Sequence, residues 1–263
     1  MAAIAAIVTG AVTTTGWVLF GVVPAVLGFG AYWIRSITRS LRYSIAPTPS
    51  GVRITYGLLT TITEIIPPGR IHAVEVTQPL MWRPFGWWAI RINRLSGRSM
   101  SDGANDQFGT VLPVGNRADV ERVLRLILPT IAEDDWPMIV DNGALGPVAD
   151  DPYTTTPKRA RLLRPLSWRR NGFWLGTDAL FLRRGRIWRT LAVVPLARMQ
   201  SLEVSQGPVD RALRVANIRA HTVAGRVSGS LGILDRDDAL RLFDDGERAA
   251  IGAVATDRSH RWA

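Results

Sequence analysis

The stretch IIPPGRIHAVEVTQPLMWRPFG, residues 65–86, returns at residues 193–214 as VVPLARMQSLEVSQGPVDRALR with the same punctuation. Laid over each other without a gap, residues 51–98 and 179–226 share Gly57/Gly185, Pro67/Pro195, Arg70/Arg198, Glu75/Glu203, Val76/Val204, Gln78/Gln206, Arg83/Arg211, Ile90/Ile218, Arg91/Arg219, Gly97/Gly225 and Arg98/Arg226. Elsewhere in the overlay apolar residues tend to fall on apolar ones. Self-similarity over so long a period means one structural unit spelled twice.

Within the first unit, GVRITYGLL (51–59) alternates Val52, Ile54 and Tyr56 with Arg53 and Thr55, the period of a half-buried strand. TTITEII continues as a strand and stops at Pro67-Pro68-Gly69, which cannot stay in a ladder. From Arg70 the alternation resumes, with His72, Val74, Val76 and Gln78 on one side and Ala73, Glu75 and Thr77 on the other. WWAIRIN (87–93) and FGTVLPV (108–114) read as further strands joined by a Gly/Ser/Asp-rich hairpin around 96–106. A helix then closes the unit: Asn116 caps it, Asp119 completes a capping box, and Val120, Val123, Leu124, Ile127 and Ile131 recur at helical spacing until Pro129 disturbs the end. In the second unit LDRDDALRLF (234–243) repeats that helix with Asp235 as cap, so each unit is several antiparallel strands followed by one amphipathic helix.

Residues 1–34 carry no charged side chain. About 20 apolar residues cross a bilayer core of about 30 Å, so this stretch is expected to be a transmembrane segment, as one kinked helix or a short hairpin. A secretory signal peptide would begin with basic residues and have a shorter apolar core. Arg35, Arg39 and Arg42 follow, no acid precedes Glu64, and the bias of basic residues to the inner side places the domains in the cytoplasm. Tyr32 and Trp33 fall where an interfacial aromatic belt sits.

The pattern P-x-x-R-[I/M]-x-x-[V/L]-E-V-x-Q with a further arginine at Arg83 or Arg211, the closing helix, the tandem copies and the apolar anchor together resemble the second family of bacterial pleckstrin-homology-like domains, found in paired membrane proteins. The resemblance covers roughly residues 47–131 and 164–245. It implies a mainly β fold of two PH-like bent antiparallel β-barrels, each capped by a C-terminal α-helix and preceded by the transmembrane segment. The organisation expected is a transmembrane segment over 1–34, a first PH-like domain over 35–131, an acidic-to-basic linker over 132–163 and a second PH-like domain over 164–255. The resemblance carries no catalytic activity and no established ligand.

Composition agrees in what it excludes. Cysteine is absent, which removes disulfides, thiol nucleophiles and cysteine-ligated zinc, and three histidines at unrelated spacings make a poor metal site. No phosphate loop, nucleophile elbow or His-Glu-x-x-His motif occurs, so neither an enzyme nor a cofactor is expected.

Charge is strongly partitioned. Residues 132–157 hold six acids and no base, and residues 158–189 hold ten bases against Asp178 alone, nearly the whole net charge of +10. For a tethered chain the nearest large anion is the cytoplasmic leaflet, which attracts each adjacent basic residue by about 1 kcal/mol. Lys158, Arg159, Arg161, Arg164, Arg169 and Arg170, interleaved with Trp168 and Trp174, are therefore candidates for anionic phospholipid contact, as are Arg70 and Arg198, expected to be exposed after their proline turns. Nucleic acid is the rival anion, but no helix-turn-helix, RNA-binding sheet motif or zinc knuckle is present.

Trp82, Trp87 and Trp88 beside Phe85 form either core or a face for a membrane or a protein partner, where aromatics concentrate. Pro67, Pro195, Gln78 and Gln206 are read as structural, and Glu75 with Arg83 and Glu203 with Arg211 as cross-strand ion pairs holding register. The function expected is a membrane-anchored, cytoplasm-facing scaffold or binding protein contacting anionic lipid, a protein partner or a second copy of itself. The alternatives are an accessory subunit of an envelope defence or transport complex, and a membrane enzyme without a recognisable signature.

Overall fold

The computed structural model describes residues 44–48, 51–56, 62–94 and 109–257. The apolar stretch 1–34, the arginines behind it and the 96–106 hairpin lie outside the described residues. Among the described residues no helix is long and apolar enough to cross a membrane. The chain divides into two compact units, residues 1–44 with 55–63 and residues 45–54 with 64–263. What is described of the first amounts to a few strand-end residues, where the Thr55 and Thr63 hydroxyls hydrogen-bond at 3.2 Å.

In chain order the first copy runs β1 (Ser44–Thr48), β2 (Gly51–Tyr56), β3 (Ile62–Ile66), β4 (Ile71–Pro79), β5 (Trp88–Arg94), β6 (Thr110–Gly115) and helix α1 (Arg117–Ile127). A two-residue strand, β7 (Thr154–Thr155), precedes the second copy. That copy runs β8 (Gly172–Leu175), β9 (Ala179–Arg184), β10 (Trp188–Pro195), β11 (Ser201–Ser205), the short α2 (Pro208–Ala212), β12 (Val215–His221), β13 (Ser230–Asp235) and α3 (Arg236–Thr256). Strand for strand the two copies match, β1–β6 against β8–β13, and the alternation in the sequence places β2 to β6 to within a few residues. Strand β1 has no counterpart among the sequence expectations, because Ser-Ile-Ala-Pro-Thr is short and contains a proline.

The strands form three sheets, β1-β2-β3, β6-β5-β4-β10-β9-β8-β7 and β11-β12-β13. None closes on itself among the described residues, so the antiparallel sheets and closing helices are present without a closed barrel. The two copies share the central seven-stranded sheet. Strand β4 of the first copy pairs antiparallel with β10 of the second, from Pro79 opposite Trp188 to Val74 opposite Val193. Through β4 the second sheet of the first copy is continuous with the first sheet of the second copy, while the corresponding strand β11 stands at the edge of its own sheet.

The core of the second copy lies between its two sheets and α3. Leu180, Leu182, Ala192 and Val194 from one sheet meet Ala216, Ile218, Leu231 and Leu234 from the other and Ala239 and Leu242 from the helix, with Ala73 of β4 joining them. Burying each of the larger aliphatic side chains stabilises the fold by about 1.5–3 kcal/mol relative to exposure. At the rim of this core Asn93 of β5 is buried; its amide donates to the Val227 carbonyl and accepts from the Val227 N–H, both at 2.8 Å. It therefore bonds across the copies as a strand would, which suits a buried amide that must satisfy both ends.

Helix α1 begins as its sequence dictates: the Asn116 side chain accepts from the Asp119 N–H while the Asp119 carboxylate accepts from the Asn116 N–H, each at 3.0 Å. Val120, Val123, Leu124 and Ile127 form its buried stripe. Helix α3 starts at the Asp235 cap and runs well beyond the ten residues whose periodicity announces it, carried on by the alanine-rich stretch after Leu242, where helix propensity is highest.

The segment expected as a linker is not a tether. Trp136, Ile139, Val140, Ala144 and Tyr153 are buried, and the π-helical turn Met138–Leu145 packs on β9 and β10. Three of the six acids that make this stretch read as a linker pair with arginines, Glu133 with Arg125, Asp141 with Arg117 and Asp151 with Arg183, while its apolar residues pack.

Candidate binding surface

Strand alternation turns Phe181 and Arg183 of β9 away from the core of the second copy and toward that turn. Arg183 is completely buried. Its guanidinium donates to the Arg170 carbonyl at 2.8 Å, to the Asn142 carbonyl at 2.5 Å and to both oxygens of Asp151, and it lies 4.4 Å over the Tyr153 ring. Arg170, also buried, donates to the Gly143, Ala144 and Gly146 carbonyls, the unsatisfied acceptors at the end of the π-helical turn. Burial, with Arg183, Arg189 and Arg83 nearby, lowers the Arg170 pKa to about 9. Arg184 donates to the Ser230 carbonyl at 2.7 Å and pairs with Glu75 at 3.4 Å.

The basic window is thus divided by the fold. Arg170, Arg183 and Arg184 are internal, and Arg159 donates to the Leu213 and Arg214 carbonyls and to the Asp235 carboxylate at 2.5–2.9 Å, fastening the segment before β8 to the start of α3. Lys158, Arg161 and Arg169 are exposed, with Leu162 and Leu166 beside them, while Arg164 is half-buried with its Nε unpartnered. Trp168 is half-exposed beneath Arg169, whose guanidinium sits 5.1 Å from the ring centroid. Trp174 stacks on Phe181 at 4.8 Å and is part of the packing. Arg70 is exposed as its position after the turn suggests, whereas Arg198 is half-buried and pairs with Asp257 at 2.7 Å, because α3 ends against it.

The aromatic cluster is likewise split. Trp88, the first residue of β5, points inward and is 5 % exposed, whereas Trp87 is 42 % exposed. Trp82 is half-buried and meets Trp87 edge to face at 6.4 Å; Phe85 stacks on Trp87 at 4.6 Å. The connection Leu80–Phe85 is a 3-10 turn interrupted by Pro84 and ended by Gly86 at φ 64°, a conformation that favours glycine. Because Pro79 lies opposite Trp188, this connection sits at the same end of the seven-stranded sheet as the β9–β10 hairpin. That hairpin is tight: Gly185 has φ 68°, and a Cβ there would stand 2.0 Å from the Trp188 carbonyl oxygen.

One surface therefore draws on both copies. From the first come Leu80, Met81, Phe85 and Trp87, and from the second Ile187 and Trp188, all exposed. Arg83 links them by donating to the Arg186 and Ile187 carbonyls. Arg189 donates to Gln78 at 3.2 Å. Burial and the nearby Arg186 lower the Arg83 pKa, and burial with Arg83 and Arg186 lowers that of Arg189. No carboxylate pairs with Arg83, Arg186 or Arg189 among the described residues. The participation of Ile187 and Trp188 was not legible in the sequence, since they stand about 100 residues from Trp87 and only the β4–β10 pairing unites them.

The repeated Glu and Arg do not pair as expected. Arg83 lies beyond the end of β4 in the 3-10 turn, and Arg211 lies in α2. The residue opposite Glu75 is Arg91 and the residue opposite Glu203 is Arg219, both also repeated. Glu75 makes its ion pair with Arg184 and Glu203 with His221 at 2.8 Å. Gln78 is buried; Gln206 donates to the Val215 carbonyl at 2.6 Å. Pro67 and Pro195 each precede a 3-10 turn, as punctuation requires. Among the described residues no three His, Asp or Glu side chains gather as a metal site would need.

No curated protein matches the chain. The family model described as "Bacterial PH domain" matches it twice, over residues 3–130 and over residues 154–249, so that most of its length is covered. Two consecutive matches fall on the two copies that the strand order displays, and on this evidence the chain belongs to the bacterial PH domain family.

Proposed function

We propose that this chain is a membrane-anchored, non-catalytic binding protein that holds its tandem PH-like copies on the cytoplasmic side, where they contact the anionic headgroups of the inner leaflet. The observation that carries the reading is the charge-free run 1–34 followed by Arg35, Arg39 and Arg42 with no acid before Glu64. Support comes from the exposed residues at the start of the basic window, Lys158, Arg161 and Arg169, with Leu162 and Leu166 interleaved, the composition of a segment that lies on a bilayer. Family membership supports a binding or scaffolding role rather than a catalytic one.

Alkaline extraction and protease protection test the anchor. The full chain stays with membranes at alkaline pH and is cleaved in inside-out vesicles but not in right-side-out cells. Release at alkaline pH, or cleavage from outside, would overturn it. A second reading, an accessory subunit of an envelope complex, draws on the free edge of β11. Its counterpart β4 is covered by β10, whereas no described strand covers β11 and the Glu203 side chain is 50 % exposed.

A further inference from the structure

The aromatic turn of the first copy and the β9–β10 hairpin of the second make a surface that neither copy has alone. Its apolar members stand on two connections and on Trp188, the first residue of β10, at the end of the sheet, with Met81 78 % and Trp188 65 % exposed. Isolated exposed apolar residues need no explanation, but a contiguous group rimmed by one sign of charge does. Arg83, Arg186 and Arg189 are that rim, and no Asp or Glu occurs from 76 to 101 or from 179 to 202. These guanidinium groups find no carboxylate partner among the described residues, and burial together with the neighbouring arginines lowers the pKa of Arg83 and of Arg189, so the field at this end is positive and unneutralised by the described residues.

We infer that this end of the seven-stranded sheet is a membrane-insertion rim, with Met81, Phe85, Trp87, Ile187 and Trp188 entering the headgroup and upper acyl region of an anionic phospholipid bilayer while Arg83, Arg186 and Arg189 bind lipid phosphates. The chemistry fits on both counts. Tryptophan rings settle at the boundary between headgroups and acyl chains, and arginine forks match phosphate oxygens. A protein partner would also accept the aromatics, but the absence of any acid from both contributing segments favours an extended anionic surface over a protein face of mixed charge. The inference rests on the lipid-facing reading of the chain and adds the element that touches the bilayer.

The absence of cysteine allows a direct test. Met81→Cys and Trp188→Cys, each labelled with an environment-sensitive fluorophore, are compared with Arg161→Cys at the start of the basic window and Glu247→Cys on α3. The full chain is placed in nanodiscs of phosphatidylcholine alone or of an equal mixture of phosphatidylcholine and phosphatidylglycerol. Labels at 81 and 188 should become apolar in surroundings and be quenched by nitroxide lipids in the anionic discs only, while the label at 247 stays in water. Replacing Arg186 or Arg189 by Gln should lower the ratio of lipid-quenched to free label by about fivefold per residue.

A response at 161 with none at 81 and 188 overturns the rim and leaves the lipid-facing function standing. Silence at all three positions overturns both. Protection of 81 and 188 in detergent that grows with protein concentration assigns the rim to a second copy and also overturns the inference.

Discussion

Replacing Arg183 by Met tests whether the basic window is structural at its centre. The side chain has no exposure, its partner Asp151 is 13 % exposed, and four acceptors converge on it: the Arg170 and Asn142 carbonyls and the two Asp151 oxygens. Methionine fills much of the same volume, so the packing loss is small and the electrostatic loss dominates. Removing one partner of a buried ion pair costs about 3–5 kcal/mol, because the remaining charge is left without compensation. At about 2–4 °C per kcal/mol for a domain of this size, Tm should fall by about 6–20 °C. Arg183→Lys should recover only part of this, since an ammonium cannot span the carboxylate and two carbonyls at once. Arg183→Met combined with Asp151→Asn should recover more, because the stranded charge is gone. Thermal unfolding followed by circular dichroism on the full chain in detergent is sufficient. A single-variant loss below about 1 kcal/mol, the range of an exposed pair, would refute the reasoning, as would a double variant no more stable than the single one.

Two further expectations bear on the junction between the copies. Asn93→Leu leaves the Val227 N–H and carbonyl buried without partners, at about 1–3 kcal/mol each; Tm should drop and the Val227 amide should exchange with solvent faster, and unchanged exchange would show that the junction does not depend on this side chain. Glu75→Gln concerns pH. Burial raises the Glu75 pKa above its ordinary value despite Arg184 and Arg91, so the folded state holds a proton that the unfolded state has already released. Stability contributed by that proton is present at low pH and is lost as pH rises from the ordinary glutamate value through the raised one. The variant, which cannot ionise, should therefore gain on the wild type in Tm as pH rises through that window, and a constant difference between the two would count against the assignment.

Much of the local structure was legible because it is governed by local rules. The alternation from Val52 to Thr77 placed strands, Asn116 with Asp119 announced a helix start, and eleven identities over residues 51–98 and 179–226 announced the second copy. The surfaces were less legible. Adjacent residues of a strand point to opposite faces, so whether Trp87 or Trp88 is core depends on where β5 begins, a boundary that sequence patterns locate only to a few residues. The charge blocks misled in a different way. Read along the chain, 132–157 is acidic and 158–189 basic; in space Asp151 joins Arg183 and the arginines of β9 serve carbonyls and carboxylates from other segments. Pairing between β4 and β10 leaves no local mark, since a backbone ladder is indifferent to which strand supplies it. The nearest hint was that both faces of residues 71–79 are nearly free of charge, as suits a strand covered on both sides and along both edges.

That pairing also explains why identical residues have come to different duties. Glu75 lies in an interior strand with its side chain only 11 % exposed and answers Arg184 on β9. Glu203, its repeat, lies on an edge strand, half-exposed, and answers His221 in its own sheet. Arg83 bridges to the hairpin of the other copy, whereas Arg211 stands exposed in α2. In each case the first copy uses the residue to hold the second, and the second has no described neighbour to hold. A charged glutamate on an exposed edge strand discourages pairing with other chains, while the same glutamate inside the sheet needs the arginine supplied by β9. The repeat therefore preserves a residue while topology changes its energetic role, and exchanging Glu203 for an apolar residue tests only an edge, whereas the same exchange at Glu75 strands a buried arginine.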